Sequence, residues 1–311
     1  VDLVRATLAK LDAATPVDAT DEVTLAAMRD RLGLELESAE AGDHRRQLNN
    51  LASPLQALRD VFDLMPTDTA EQWANIAGRL GAIPAALDGY VETLREGIAT
   101  RNTPAIRQVE LGIAEATGLA DAEASFFTAF AAGARPDGAA PDGGLADDLA
   151  RGAASAREAY GRLAAFLRDE LAPAARPEDA AGREFYQRMS RQFIGATIDL
   201  DETYEWGVEE LARVTAEQEA LARDIAGPGA SVADAVAALD GDPARQLHGT
   251  DALKAWMQET SDAAIAALDG VHFDIPEPLH RLECMIAPTQ NGAIYYTGPT
   301  DDFSRPGRMW W

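Results

Sequence analysis

From Leu3 to Leu268 the apolar residues of this 311-residue chain recur at three- and four-residue spacing, and after Gly270 that spacing stops. A pattern with the α-helical period places its apolar side chains along one stripe. Laid down as a strand, the same pattern would send many of them to the wrong face. Most of the chain is therefore constrained to helices that bury one stripe each. The predicted fold class is mainly α, a multi-helix array with a small β-sheet element near the C-terminus. We expect a helical N-terminal region over 1–270 and a β-containing region over 271–311.

Proline, glycine and capping residues divide the helical part into segments. In the stretch 1–48, Leu3, Leu8 and Leu11 share a face, and Thr20-Asp21-Glu22 suits a helix start. His44-Arg45-Arg46 suits a helix C-terminus, where cations meet the carbonyl dipole. Ser53 reads as an N-cap with Pro54 at the first helical position, ahead of the stripe Leu55, Leu58, Phe62 and Met65. Thr69 reads as the next cap, with Trp73, Ile76 and Leu80 facing inward. Pro84 is expected to sit in a bend before Leu87, Tyr90, Val91 and Leu94, and Pro104 to open another helix. Phe126, Phe127 and Phe130 read as core, and Gly133 to Gly144 as a loop. A long helix over 201–226 interleaves Tyr204, Trp206, Val208, Leu211, Val214 and Leu221 with glutamates, and Gly227-Pro228-Gly229 stops it. Thr250-Asp251 opens the last long helix. Leu282 to Ile286 and Ala293 to Tyr296 read as strands, with Arg308 to Trp311 as the start of another.

Charge narrows the partners. A net charge of −25 and a pI near 4.4 repel phosphate backbones and anionic lipid, so neither nucleic acid nor a membrane surface is an expected partner. No apolar run reaches the length of about eighteen residues that a membrane-spanning helix needs. The single cysteine, Cys284, excludes a disulfide within the chain and any cysteine-based zinc site. It suits a cytoplasmic location.

Sequence signatures of catalysis are sparse. The chain has no H-E-x-x-H, P-loop, G-x-G-x-x-G or G-x-S-x-G. His44, His248, His272 and His280 are too scattered to propose a metal site from spacing. Glu209-Glu210 lies on a helix, where neighbours do not share a face. Asp301-Asp302 lies in a turn, where aspartate caps backbone amides.

The tail from Gly292 to Trp311 offers more. Tyr295-Tyr296 followed by Gly298-Pro299 reads either as ordinary sheet packing or as a strand edge beside a cleft. An extended peptide adds to such an edge through main-chain hydrogen bonds. Arg305 and Arg308 are candidates to hold carboxylates, in a substrate or in Asp302. Ending on Trp310-Trp311 leaves much apolar surface in need of a partner, so the chain is expected to stop just before a segment it supports.

Three stretches carry a family resemblance: His272-Phe273-Asp274-Ile275-Pro276; Glu283-Cys284-Met285-Ile286-Ala287-Pro288; and Tyr295 through Arg308. With Ala52-Ser53-Pro54-Leu55-Gln56, Trp206 to Leu211 and Leu247-His248-Gly249 upstream, the chain resembles the bacterial family known as domain of unknown function 885. That family is similar to zincin-type metallohydrolases, peptidases in particular. The resemblance implies a His-Glu pair and a Pro-Gly-His-His motif that bind zinc and activate water, placed shortly after the segment that ends here. The motif has no counterpart in these 311 residues, so no metal ligand or catalytic residue is carried over, and no cofactor is expected in this chain alone. The resemblance further implies that Tyr295, Tyr296, Asp302, Arg305 and Arg308 form a substrate-binding wall for a peptide or other amide. The expectation is the N-terminal, cleft-forming part of a zinc-dependent peptidase or amide hydrolase, inactive by itself. The alternatives are one half of an enzyme completed by a separate C-terminal chain, and a non-catalytic helical binding module.

Overall fold

A computed structural model of the chain describes residues 1–287 and 294–311. The described residues form eleven α-helices and a three-stranded sheet near the C-terminus, as the periodicity predicts. They divide into two compact units, Val1–Leu200 and Asp201–Trp311. The switch from helix to strand falls inside the second unit.

The first unit contains α1 (Asp2–Ala13), α2 (Ala19–Ala41), α3 (Pro54–Asp60), α4 (Ala70–Thr100), α5 (Ile106–Ala120), α6 (Phe126–Ala132), α7 (Gly143–Phe166) and α8 (Arg183–Ile194). Its centre is the α4–α7 pair. Along α4 the residues Trp73, Ile76, Leu80, Ile83, Leu87, Tyr90 and Leu94 are all buried. Their spacing alternates three and four, the period of a packed helical seam. The facing stripe of α7 is small at one end, with Gly152, Ala153 and Ala156, and large at the other, with Tyr160 and Leu163. The small end lets the backbones close up: a Cβ on Gly152 would stand 2.8 Å from Leu80 Cβ.

Pro84, expected in a bend, falls inside a single continuous helix. The helix α4 runs through it, 31 residues long. A proline inside a helix costs about 3 kcal/mol in lost hydrogen bonding and clash. Each large apolar side chain buried along the seam stabilises by roughly 1.5–3 kcal/mol, so packing outweighs the local preference. The caps are as predicted: Ser53 with Gln56, and Thr69 with Gln72, form reciprocal capping boxes. His44-Arg45-Arg46 lies in a short 3₁₀ turn just beyond the left-handed Gly42 that ends α2.

Two buried tyrosines make long-range ties: α4 to the irregular segment between α2 and α3, and α7 to the first turn of α3. Tyr90 donates to the Gln47 carbonyl at 2.7 Å and Tyr160 to the Leu55 carbonyl at 2.8 Å. Burial pushes both phenols above the usual tyrosine value. Beside them Gln56 donates to Glu115 at 2.6 Å, and burial raises the Glu115 carboxyl despite that bond. Phe62, Phe126, Phe127 and Phe130 stack edge and face below this knot, with Arg59 lying 4.0 Å over the Phe126 ring.

The second unit contains α9 (Leu200–Ala226), α10 (Val232–Asp240), α11 (Thr250–Leu268), and the strands β1 (Leu282–Met285), β2 (Tyr295–Thr297) and β3 (Gly307–Trp310). Here the apolar pattern is not matched by burial. On α9, Tyr204 is 74% exposed, Trp206 63% and Leu211 67%. The strand order is β1-β3-β2, with β1 parallel and β2 antiparallel to the central β3. Of the strand expected over Ala293–Tyr296, Ala293 lies outside the described residues, as do Pro288 and Gly292.

Candidate functional site

The strand register sorts the tail into two faces. Leu282 faces Gly307, Cys284 faces Met309, and Tyr296 faces Met309 from the other side. Side chains alternate along a strand, so Leu282, Cys284, Met309 and Tyr296 share one face. Glu283, Arg308, Thr297, Tyr295 and Trp310 share the other.

The first face meets α11 at its β1 end. Ser261 Oγ lies 3.4 Å from the buried Cys284 Sγ. Gln258 bridges to the outer edge of β1: its Oε1 accepts from the Cys284 amide at 2.9 Å and its Nε2 donates to the Leu282 carbonyl at 2.7 Å. The side-chain amide thus takes the place of a neighbouring strand. At the opposite end of the same face, Tyr296 is 53% exposed. Its ring crosses Gly307, the diagonal position on β3, and that crossing requires a residue without Cβ.

The second face satisfies itself. Arg308 Nε donates to Glu283 Oε2 at 2.7 Å across the parallel pair. Tyr295 stacks on Trp310 with centroids 5.9 Å apart and planes 12° from parallel. The Trp310 indole N–H donates to Thr297 Oγ1 at 3.0 Å. Trp311 prolongs the ladder: its amide donates to the Met285 carbonyl at 3.0 Å, and its carbonyl accepts from the Ala287 amide at 2.8 Å. Trp311 stays 39% exposed.

Between β2 and β3 runs a fastened turn. Asp302 Oδ1 accepts from the Ser304 amide at 3.1 Å and from the Ser304 hydroxyl at 2.8 Å. Hydrogen bonds from Thr300 and Ser304 hold the Asp302 carboxyl down to about 2. Arg305 donates to the Gly298 carbonyl at 2.7 Å and the Pro306 carbonyl at 3.1 Å, and its own amide donates to Thr300 Oγ1 at 3.0 Å.

The five residues singled out in the sequence thus divide three ways. Tyr295 and Arg308 lie on the self-satisfied face, Tyr296 lies half open on the other, and Asp302 and Arg305 hold the turn. Asp302 accepts from Ser304 and not from either arginine. Arg308 takes Glu283 as its carboxylate, and Arg305 takes main-chain carbonyls. Glu283, Gln258 and Gly307 were not singled out as site residues. Their roles come from strand register and from the packing of α11, which no local motif records.

Among the described residues no group of three or more His, Cys, Asp or Glu is placed to hold a metal ion. His280 Nε2 lies 2.9 Å from the Ile275 carbonyl and 3.2 Å from Asp269 Oδ2, a local contact within the 269–280 loop. No helix among the described residues is long and apolar enough to cross a membrane.

No curated protein matches this sequence. Among solved structures, a protein from Colwellia psychrerythraea described as a candidate lipoprotein is similar, with a TM-score of 0.68 and 19% identity. The match covers 85% of this chain and 48% of that one, so the chain spans about half the length of the structure it resembles. At that identity the likeness establishes the fold. The family model described as "Bacterial protein of unknown function (DUF885)" matches residues 1–311, and the chain belongs to that family.

Proposed function

We propose that this chain forms the peptide-binding wall, without the catalytic centre, of a zinc-dependent peptidase or related amide hydrolase. The observation that carries the reading is the position of β2. Among the described residues it is an outer strand of the sheet, paired to β3, with Tyr296 half open beside it. An extended peptide laid along β2 would gain main-chain hydrogen bonds of the kind that join strands. Tyr296 would then pack on its side chains. Asp302 and Arg305 act as positioning residues, since they fix the turn that sets β2 against β3. Zinc does not fit the side chains described here, so no hydrolytic step is assigned to them.

The apolar residues left open on α9 support the same reading. Tyr204, Trp206 and Leu211 offer a surface to further polypeptide, in the same chain or in a separate one. A purely non-catalytic helical binding module shares this feature and would need no metal partner. The cytoplasm suits the free thiol of Cys284. The lipoprotein description of the similar structure supports a location outside the cytoplasm as the second reading.

The test is binding of fluorescein-labelled unstructured peptides by anisotropy, against the same peptides N-methylated at alternate residues. Binding should weaken at least tenfold on methylation, because about 1.4 kcal/mol of lost main-chain bonding corresponds to that factor. Equal binding of both forms would remove the strand-addition reading. Turnover of peptides by the chain supplied with zinc would show that it carries its own catalytic centre.

A further inference from the structure

Between the 61–66 segment after α3 and the N-terminal half of α4 lies an open groove of about 770 Å³, within the size range of small-ligand sites. One wall is apolar, made by Val61, Leu64, Met65 and Pro66. Leu64 is 65% exposed there, and Val61 and Met65 are only partly covered by the core. The other wall is α4. Gln72, Asn75 and Arg79 follow one another at three- and four-residue spacing and so share a face of the helix. Gly78 keeps the bed of the groove open, since no atom lies within 4 Å of where its Cβ would stand.

The polar groups of this wall are not engaged by the fold. Arg79 is the one charged residue lining the groove, in a chain of net charge −25. Elsewhere in the first unit Arg59, Arg95 and Arg188 each hold a carboxylate. Among the described residues the Arg79 side chain has no ion pair and no hydrogen bond, and the Asn75 side chain has no hydrogen bond. Gln72 commits its Oε1 to the helix start, accepting from the Asp68 amide at 2.6 Å and the Thr69 amide at 3.1 Å, and keeps its Nε2 protons to give. Donors thus stand in a row opposite an apolar wall.

We propose that this groove binds the C-terminal end of an extended apolar peptide, with its carboxylate on Arg79 and its side chains on Leu64, Met65 and Pro66. The planar fork of a guanidinium matches the two oxygens of a carboxylate. Asn75 both donates and accepts, as a peptide's main chain does, and Gln72 donates to a carbonyl. From Gln72 to Arg79 the helix climbs about 10 Å. An extended peptide covers that length in about three residues. An acyl chain with one carboxylate would engage Arg79 and leave both amides idle, whereas a peptide engages all three side chains. The groove lies wholly within the first unit and is independent of the reading of β2: strand addition there is indifferent to Arg79 and to the charge at a peptide's end.

The experiment is fluorescence anisotropy of the 311-residue chain with two fluorescein-labelled peptides of four apolar residues, one ending in a free carboxylate and one amidated there. The expected result is saturable binding of the carboxylate form and at least tenfold weaker binding of the amide. Arg79→Gln should weaken the carboxylate form at least tenfold and erase the difference between the two. Gly78→Leu should fill the groove and abolish that binding without lowering the unfolding midpoint. Arg79→Gln removes no contact of the fold, so it carries the test whatever Gly78→Leu does to stability. Equal affinity for both peptides in the unmodified chain would overturn the site, and so would undiminished binding to Arg79→Gln. Decanoate competing more tightly than the peptide itself would make this an acyl-chain site and overturn the peptide assignment.

Discussion

The ring of Tyr296 lies across Gly307, so that a Cβ at residue 307 would stand 2.8 Å from its Cε2 and Cζ and closer still to its hydroxyl. The tyrosine is held flat on one face of the sheet by the absence of a side chain on the neighbouring strand. Gly307→Ala should therefore turn the ring outward. The far end of a flexible side chain yields readily, so stability should change by less than about 1 kcal/mol. Peptide affinity should fall with it, if Tyr296 lines the wall as proposed. Thermal unfolding and the anisotropy assay read the two effects separately. An unchanged affinity in a folded Gly307→Ala protein would remove Tyr296 from the wall.

Asp302 gives a prediction in pH. Its folded value is about 2, below the roughly 3.9 of an unrestrained aspartate. A depressed carboxyl stabilises the structure above the unfolded value, and this contribution is lost as pH falls through the folded one. The turn should thus stay closed from neutrality to about pH 4 and loosen as pH falls from there toward 2. The Ser304 amide resonance, followed by NMR, should titrate with a midpoint near 2. A midpoint near 3.9 would mean that the Asp302 bonds to Ser304 do not persist in solution.

Leu80 and Gly152 set the closeness of α4 and α7. In Gly152→Ala the new methyl meets Leu80 Cβ at 2.8 Å and the Ala77 carbonyl at 3.3 Å. Overpacking of this kind costs about 1–3 kcal/mol, against a gain of about 1 kcal/mol in helix propensity. A net loss is expected, seen as a lower unfolding midpoint. Gly78 lies on the same α4 with open space around it. There the substitution should be neutral or stabilising. Equal stability of the two variants would contradict so tight a crossing.

These cases show which parts of the structure are legible in the sequence. Ser53, Thr69 and Asp302 act on backbone groups within three residues, so their capping can be read from the local string. The helical seam of α4 is also visible in its three–four spacing. Pro84 misleads because local preference is outweighed by burial against α7, which lies some seventy residues further on by sequence. The partners of Arg308 and Arg305 misled for a related reason. Glu283 reaches Arg308 only through the β1–β3 register, and Arg305 bonds carbonyls that have no sequence signature. The exposure of α9 is likewise invisible, since the amphipathic spacing says which residues want cover and not whether they have it.

The amide of Gln258 has a consequence for how this sheet can be extended. By occupying the Cys284 amide and the Leu282 carbonyl, it seals one flank of the three strands with a side chain. A strand joining from outside is turned away there, and uncontrolled stacking of copies through that flank is blocked as well. On the proposed function, a peptide would then have the flank where Tyr295 to Thr297 runs, giving the tail a polarity that its sequence of turns does not announce.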